Sequence, residues 1–100
     1  MTSPSQGAPS VRVGFIGLGA IGYPMARRIA QRFPTVVWNR TPARSEQLRG
    51  ESGVEVAADP GALVARVDVV VTCLPTSREV AEVVAGIGAE WKANHLLVDA

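Results

Sequence analysis

The sequence predicts an α/β fold: a doubly wound parallel β-sheet with helices on both faces and strands in the order 3-2-1-4-5. Two observations predict it. Short apolar runs alternate with helix-like segments from residue 11 onward, and the first of these runs ends at a cluster of glycines. Such alternation indicates right-handed βαβ crossovers between parallel strands, because sequential parallel strands must be joined by a long connection, usually a helix.

The predicted strands are short runs rich in valine, isoleucine and leucine, as expected of strands buried on both faces. The fourth run, Val-Asp-Val-Val-Val-Thr-Cys-Leu, is the strongest, and Pro75 ends it. The chain stops at Ala100, so we expect the fifth strand to be truncated. The five predicted strands are residues 11–16, 35–38, 54–56, 67–74 and 96–99.

Four helices are predicted between these strands. In the first, Ile21, Met25 and Ile29 recur every four residues, which forms one helical stripe. Pro24 falls in the first turn of this helix, where its missing N–H costs nothing, and the helix must end before Pro34. The other three helices are expected to begin at the capping residues Thr41, Asp59 and Ser77.

Composition and charge exclude several classes of protein. The chain has 100 residues, of which 47% are hydrophobic, and ten Lys and Arg stand against nine Asp and Glu. This near-neutral balance argues against a nucleic-acid partner. No run reaches the ~18–20 apolar residues of a membrane helix. The single cysteine, Cys73, and the single histidine, His95, exclude a disulfide framework and leave almost nothing for a metal site. We expect a cytoplasmic protein.

The chain divides into a tail and one domain. Residues 1–10 are rich in Ser, Pro and Gly and lack the features of a secretory signal, so they are predicted to form a disordered N-terminal tail. Residues 11–100 are predicted to form a single domain, which is the most that this length allows.

The glycine cluster, Gly17-Leu18-Gly19-Ala20-Ile21-Gly22, is an uninterrupted G-x-G-x-x-G between a strand and a helix, the context of a dinucleotide-binding fingerprint. Gly17 permits the tight turn, Gly19 lets the backbone approach a pyrophosphate, and Gly22 lets the helix pack closely on the strand. The N–H groups at the start of the helix would bind the phosphates. The alternative is a plain strand–turn–helix corner that uses glycine for tightness. We expect a Rossmann-type dinucleotide site.

The end of the second predicted strand favours NADP over NAD. Sites that prefer NAD usually place Asp or Glu there, ~20 residues after the glycines, to bind the ribose 2′-hydroxyl. Here Asn39, Arg40 and Thr41 occupy the position, so no carboxylate would repel a 2′-phosphate and a guanidinium is available to pair with it. The alternative is a solvated arginine in an ordinary turn.

Residues 14–26, Gly-Phe-Ile-Gly-Leu-Gly-Ala-Ile-Gly-Tyr-Pro-Met-Ala, resemble the N-terminal signature of the β-hydroxyacid dehydrogenases. This family includes 3-hydroxyisobutyrate dehydrogenase and tartronate semialdehyde reductase, with imine reductases as relatives. Residues 39–41 match the adenosine-phosphate turn of the NADP-using members. Residues 72–75 resemble a strand-end motif whose Leu-Pro, here Leu74 and Pro75, lies along the dinucleotide. The resemblance covers residues 11–100.

The sequence departs from the family pattern at several positions. Ile21 stands where the family usually has Met, Arg28 where it usually has Asn, and Glu79 where some members carry Asn. Gly19 stands where 6-phosphogluconate dehydrogenases usually have Ala, which makes that branch a poorer match.

The resemblance implies that the chain is the NADP-binding part of an oxidoreductase that transfers a hydride between NADP(H) and a small 3-hydroxy acid or semialdehyde. It also implies a catalytic lysine in a C-terminal helical domain, absent here, through which the full-length protein forms a homo-oligomer. This chain alone is therefore expected to contain no catalytic residue and to be inactive. Two alternatives stay open: an imine reductase, and a non-catalytic sensor or scaffold that binds the dinucleotide.

Overall fold

The computed structural model of the chain describes residues 11–51, 53–88, 91 and 96–99. The predicted tail, residues 1–10, lies outside the described residues. The strands are β1 (Val13–Ile16), β2 (Thr35–Trp38), β3 (Val54–Val56), β4 (Val69–Thr72) and β5 (Leu96–Asp99). The helices are α1 (Gly22–Ala30), α2 (Pro42–Leu48), α3 (Pro60–Val64) and α4 (Ser77–Ile87).

The five strands form one parallel sheet in the order β3-β2-β1-β4-β5, which confirms the predicted topology. In the registers of the three central strands, Ile16 is aligned with Trp38 on one side and with Thr72 on the other. The carboxyl ends of β1, β2 and β4 therefore lie level at one edge of the sheet. The chain reverses its direction of travel across the sheet between β1 and β4, and ligands of open α/β sheets bind outside the carboxyl ends at such a point.

Both faces of the three central strands, β1, β2 and β4, are mainly buried, as the continuous apolar runs predicted. On β1, Phe15 and Ile16 are fully buried and belong to clusters on opposite faces, as successive strand residues must. One cluster contains the strand residues Ile16, Val36 and Val70 together with Leu63 and Val64 of α3 and Ile87 of α4. The other contains Phe15, Val37 and Val71 together with Ala26 of α1 and Leu48 of α2.

Helix α1 packs on the sheet through small residues as well as through part of the stripe seen in the sequence. Its buried residues are Gly22 and Ala26. Met25 and Ile29 are half-buried and pack against the same core cluster as Ala26, whereas Ile21 is 69% exposed. The small residues allow the helix to approach β1 closely, which brings the glycine loop against the sheet.

Three element boundaries differ from the predictions. Strand β1 begins at Val13 rather than at residue 11. Strand β4 covers only four of the eight residues predicted, because Val67 and Asp68 precede it and Cys73 and Leu74 leave the sheet toward α4. The N-cap of α4 is Thr76, one residue before the predicted Ser77, because the Thr76 side chain accepts the hydrogen bond from the Glu79 N–H at 3.2 Å. The predicted caps Thr41 and Asp59 stand at the N-cap positions of α2 and α3.

Along the described ranges, no helix has both the length and the apolar character that crossing a bilayer requires.

Candidate functional site

A cavity of about 400 Å³ lies at the carboxyl edge of the sheet, where the segments that follow β1, β2 and β4 meet. All eleven residues predicted to bind a cofactor line it. They are Gly17, Leu18, Gly19, Ala20, Ile21, Gly22, Asn39, Arg40, Thr41, Leu74 and Pro75. Two further residues, Cys73 and Glu79, also line it and were not assigned to the site from the sequence.

The three glycines of the loop differ in what surrounds them. Gly17 has a φ of 101°, and a Cβ there would overlap the carbonyl oxygen of Cys73. A Cβ at Gly22 would overlap the carbonyl oxygen of Gly17. At Gly19, by contrast, a Cβ would meet nothing within 4 Å. The fold itself therefore requires Gly17 and Gly22, whereas Gly19 leaves open space at the cavity, as the close approach of a phosphate demands.

The N-terminus of α1 borders the cavity and has no side-chain cap. Ile21 occupies the N-cap position and makes no capping hydrogen bond, while the Tyr23 N–H donates to the Gly19 carbonyl oxygen at 3.0 Å. The first N–H groups of a helix have no acceptor within the helix, and the helix dipole makes this end positive. Together with the open space at Gly19, this end of α1 fits the pyrophosphate of a dinucleotide.

Asn39 joins the glycine loop to the segment after β2. Its Oδ1 accepts a hydrogen bond from the Leu18 N–H at 2.8 Å, and its Nδ2 donates to the Thr41 carbonyl oxygen at 3.0 Å. The sequence singled out this position because it lacks a carboxylate. The structure adds that the amide needs both its acceptor and its donor to connect the two segments.

The charged part of the cavity consists of one cation and one anion. The Arg40 side chain is 69% exposed, and its Nη1 lies 4.0 Å from Oε1 of Glu79, whose side chain is 29% exposed. Arg40 follows β2 and Glu79 lies in the first turn of α4. These are the only charged groups among the described residues that line the cavity.

The wall facing the glycine loop is mainly apolar. The Cys73 N–H donates to the Ile16 carbonyl oxygen at 2.8 Å, which holds the segment after β4 beside β1. Leu74 is half-buried and packs against the core, and the exposed Pro75 continues the wall toward α4. Cys73 was predicted to lie within the buried fourth strand. It follows the strand instead and is half-buried at the cavity.

Glu46 and Arg49, whose pKa values are shifted, do not line this cavity. The two side chains form a hydrogen-bonded ion pair on α2, with Glu46 Oε1 2.7 Å from Arg49 Nε. The hydrogen bond lowers the pKa of the Glu46 carboxyl and raises that of the Arg49 guanidinium. Within the described ranges, no three His, Cys, Asp or Glu side chains are grouped so that they could hold a metal ion.

A G-x-G-x-x-G loop ahead of an uncapped helix, at the point where strand order reverses, defines the class of dinucleotide-binding α/β domains. Residues 12–100 match the family described as the NAD binding domain of 6-phosphogluconate dehydrogenase, and the chain belongs to this family.

Similar proteins are hydroxyacid dehydrogenases and imine reductases. The chain is 32% identical over 96 residues to mitochondrial 3-hydroxyisobutyrate dehydrogenase of Mus musculus; the match covers 92% of the chain and 28% of the mouse enzyme. The chain also matches the solved structure of a 3-hydroxyisobutyrate dehydrogenase from Mycobacterium tuberculosis with L-serine, with a TM-score of 0.81 and 26% sequence identity. This match covers 90% of the chain and 31% of the Mycobacterium tuberculosis enzyme. A third match is the structure of an imine reductase from Myxococcus stipitatus in complex with NADP+, with a TM-score of 0.80 and 27% sequence identity. It covers 88% of the chain and 31% of the reductase. The chain is thus a nicotinamide-dinucleotide-binding domain that spans under a third of these relatives.

Proposed function

We propose that the cavity binds NADP and that the chain is the cofactor-binding part of an oxidoreductase that acts on a small 3-hydroxy acid or its semialdehyde. The observation that carries the proposal is the meeting of the glycine loop and Arg40 around one cavity. A guanidinium on the wall of a dinucleotide site is the group that a 2′-phosphate requires.

Each part of the cavity has a role in this proposal. The glycine loop and the start of α1 bind the pyrophosphate, because Gly19 leaves room for it. Arg40 and Thr41 bind the 2′-phosphate, and Asn39 holds their segment against the loop. Leu74 and Pro75 line the dinucleotide on the apolar wall and keep water from it.

The bound cofactor supplies a hydride donor or acceptor, which is chemistry that no side chain can perform. The residues of this chain bind and orient it. We place no catalytic group among them, and in the full-length protein a general acid/base would exchange the proton that accompanies the hydride.

The binding part of the proposal is tested by the Kd values of NADP+ and NAD+ for the full-length protein, measured by calorimetry in the same buffer. Because only NADP carries the phosphate that Arg40 would bind, NADP+ is expected to bind more tightly. Tighter binding of NAD+ would contradict the cofactor assignment.

A second candidate activity is the reduction of imines, and the likeness to the Myxococcus stipitatus enzyme favours it. Both activities use the same cofactor site and differ in substrate. The full-length protein, assayed in parallel for NADP+-dependent oxidation of 3-hydroxyisobutyrate and NADPH-dependent reduction of a cyclic imine, would separate them. Turnover of the hydroxy acid is the expected result. Turnover of the imine alone would select the second candidate. Binding of NADP+ without turnover of either substrate class would favour a sensor or scaffold.

A further inference from the structure

Glu79 faces Arg40 across the cavity, although the two residues are 39 positions apart and come from different sides of β1. Its carboxylate is less exposed than the guanidinium, 29% against 69%. The start of α4 fixes its backbone, since the Glu79 N–H donates to Oγ1 of the Thr76 cap. The anion is thus the better anchored partner of this pair.

We infer that Glu79 determines cofactor specificity by weakening the binding of NADP relative to NAD. This inference rests on the proposed function, because it assumes that Arg40 binds the 2′-phosphate. Glu79 acts in two ways. It pairs with Arg40 before the cofactor arrives, and it repels the phosphate that Arg40 then receives.

The distances support the repulsion. A phosphate oxygen bound to the same Nη1 would lie about 2.8 Å from it. Since that nitrogen is 4.0 Å from Glu79 Oε1, the phosphate oxygen and the carboxylate oxygen would be no more than about 7 Å apart. This separation is within the Debye length of about 8 Å at physiological ionic strength, so salt does not remove the repulsion. NAD has an uncharged hydroxyl at the same position, and the repulsion does not apply to it.

The charges that line the cavity predict how NADP binding depends on Glu79. Arg40 and Glu79 are the only charged residues among the described ones that line it, so their charges cancel in the wall. Replacing Glu79 by a neutral residue leaves Arg40 uncompensated and makes the wall cationic. A ligand that brings up to two further negative charges must respond to this change more strongly than one that does not.

The test is Glu79→Gln in the full-length protein, which removes the charge and keeps the size of the side chain. The Kd of NADP+ is expected to fall about two- to tenfold, the range for losing an exposed ion pair and a nearby like charge. The Kd of NAD+ is expected to change by less than about twofold, because NAD lacks the phosphate.

Glu82→Gln is the matched control. It removes the same charge from the same helix, but Glu82 pairs with Arg78 at 3.5 Å and does not line the cavity. Both Kd values are expected to stay within about twofold of the parent. Combined with Arg40→Ala, Glu79→Gln is expected to strengthen NADP+ binding less than it does alone, because the two residues are coupled.

The possible outcomes separate this inference from the function on which it rests. If Glu79→Gln and Glu82→Gln give the same ratio of NADP+ to NAD+ Kd values while Arg40→Ala still weakens NADP+, the inference is wrong and the proposed function stands. The inference is also wrong if Glu79→Gln weakens the binding of NADP+ and NAD+ equally, since Glu79 would then contact a part that the two cofactors share. If Arg40→Ala leaves the ratio of the NADP+ and NAD+ Kd values unchanged, both the inference about Glu79 and the proposed binding of NADP are wrong.

Discussion

Oδ1 of Asn39 accepts a hydrogen bond from the Leu18 N–H at 2.8 Å, across 21 residues of chain. This bond joins the glycine loop to the segment that carries Arg40, and the donation from Nδ2 to the Thr41 carbonyl completes the connection. The two segments that are proposed to bind the pyrophosphate and the 2′-phosphate are therefore held in a fixed relation before any ligand arrives.

Asn39→Ala is predicted to weaken the binding of NADP+ and of NAD+ by similar factors and to destabilise the fold. The Leu18 N–H would lose its acceptor in a partly buried position, which costs about 1–3 kcal/mol. Chemical denaturation gives the stability, and calorimetry gives the two Kd values. An unchanged free energy of unfolding would show that the bond does not hold the loop.

Asn39→Asp is predicted to shift the preference toward NAD. The carboxylate keeps an acceptor for Leu18 but loses the donor to the Thr41 carbonyl, and it adds a charge that repels a 2′-phosphate. A carboxylate here can also accept from the ribose 2′-hydroxyl. The ratio of the NADP+ and NAD+ Kd values is the measurement. An unchanged ratio in Asn39→Asp would contradict the placement of the phosphate beside this residue.

Gly19→Val is predicted to abolish most cofactor binding without destabilising the protein. Its side chain would enter open space, so folding is unaffected, but the overlap with a pyrophosphate should cost about 1–3 kcal/mol, or roughly five- to 150-fold in Kd. Gly22→Ala is the matched control. Its Cβ would overlap the Gly17 carbonyl oxygen, so it should lower the free energy of unfolding by about 1–3 kcal/mol. Normal binding by Gly19→Val would place the pyrophosphate elsewhere.

Asp59→Ala is predicted to lower stability and to leave the cofactor preference unchanged. The Asp59 side chain accepts from the Ala62 N–H at 2.8 Å and caps α3, which is remote from the cavity. Loss of such a cap costs about 0.5–2 kcal/mol. Asp59→Ser, which can still cap the helix, should be nearly as stable as the parent in urea. Equal stability of the Ala and Ser variants would mean that the cap contributes nothing.

The strand order and the glycine loop could be predicted from the sequence because each depends on local pattern. Continuous valine runs indicate buried parallel strands, and a G-x-G-x-x-G between strand and helix places the loop at the switch point. The eleven proposed cofactor residues lie in three such segments, so the correct topology was enough to bring them together.

Contacts across the sheet could not be predicted in this way. Glu79 meets Arg40 because β2 and β4 flank β1 in register, and because Thr76 rather than Ser77 is the N-cap of α4. A shift of one residue in that cap would turn Glu79 by ~100° around the helix axis. On α1 the sequence predicted the close packing at Gly22 but missed Ala26, since an alanine gives no signal in a pattern of large apolar residues.

The assignment of the cavity to NADP is tested most directly by the ratio of the NADP+ and NAD+ Kd values in Arg40→Ala, with Arg44→Ala as control. Arg44 lies on α2, with its guanidinium 5.9 Å from the centroid of the Tyr23 ring, and does not line the cavity. A charge-assisted hydrogen bond contributes ~1.5–3 kcal/mol, so Arg40→Ala should weaken NADP+ roughly ten- to a hundredfold.

The same substitution should change the Kd of NAD+ much less, and the loss for NADP+ should shrink at high salt because the site is exposed. Arg44→Ala should leave the ratio of the two Kd values near that of the parent. The assignment of this cavity to NADP would be contradicted if Arg40→Ala kept the parent's ratio of Kd values. It would also be contradicted if Arg44→Ala changed that ratio as much as Arg40→Ala does.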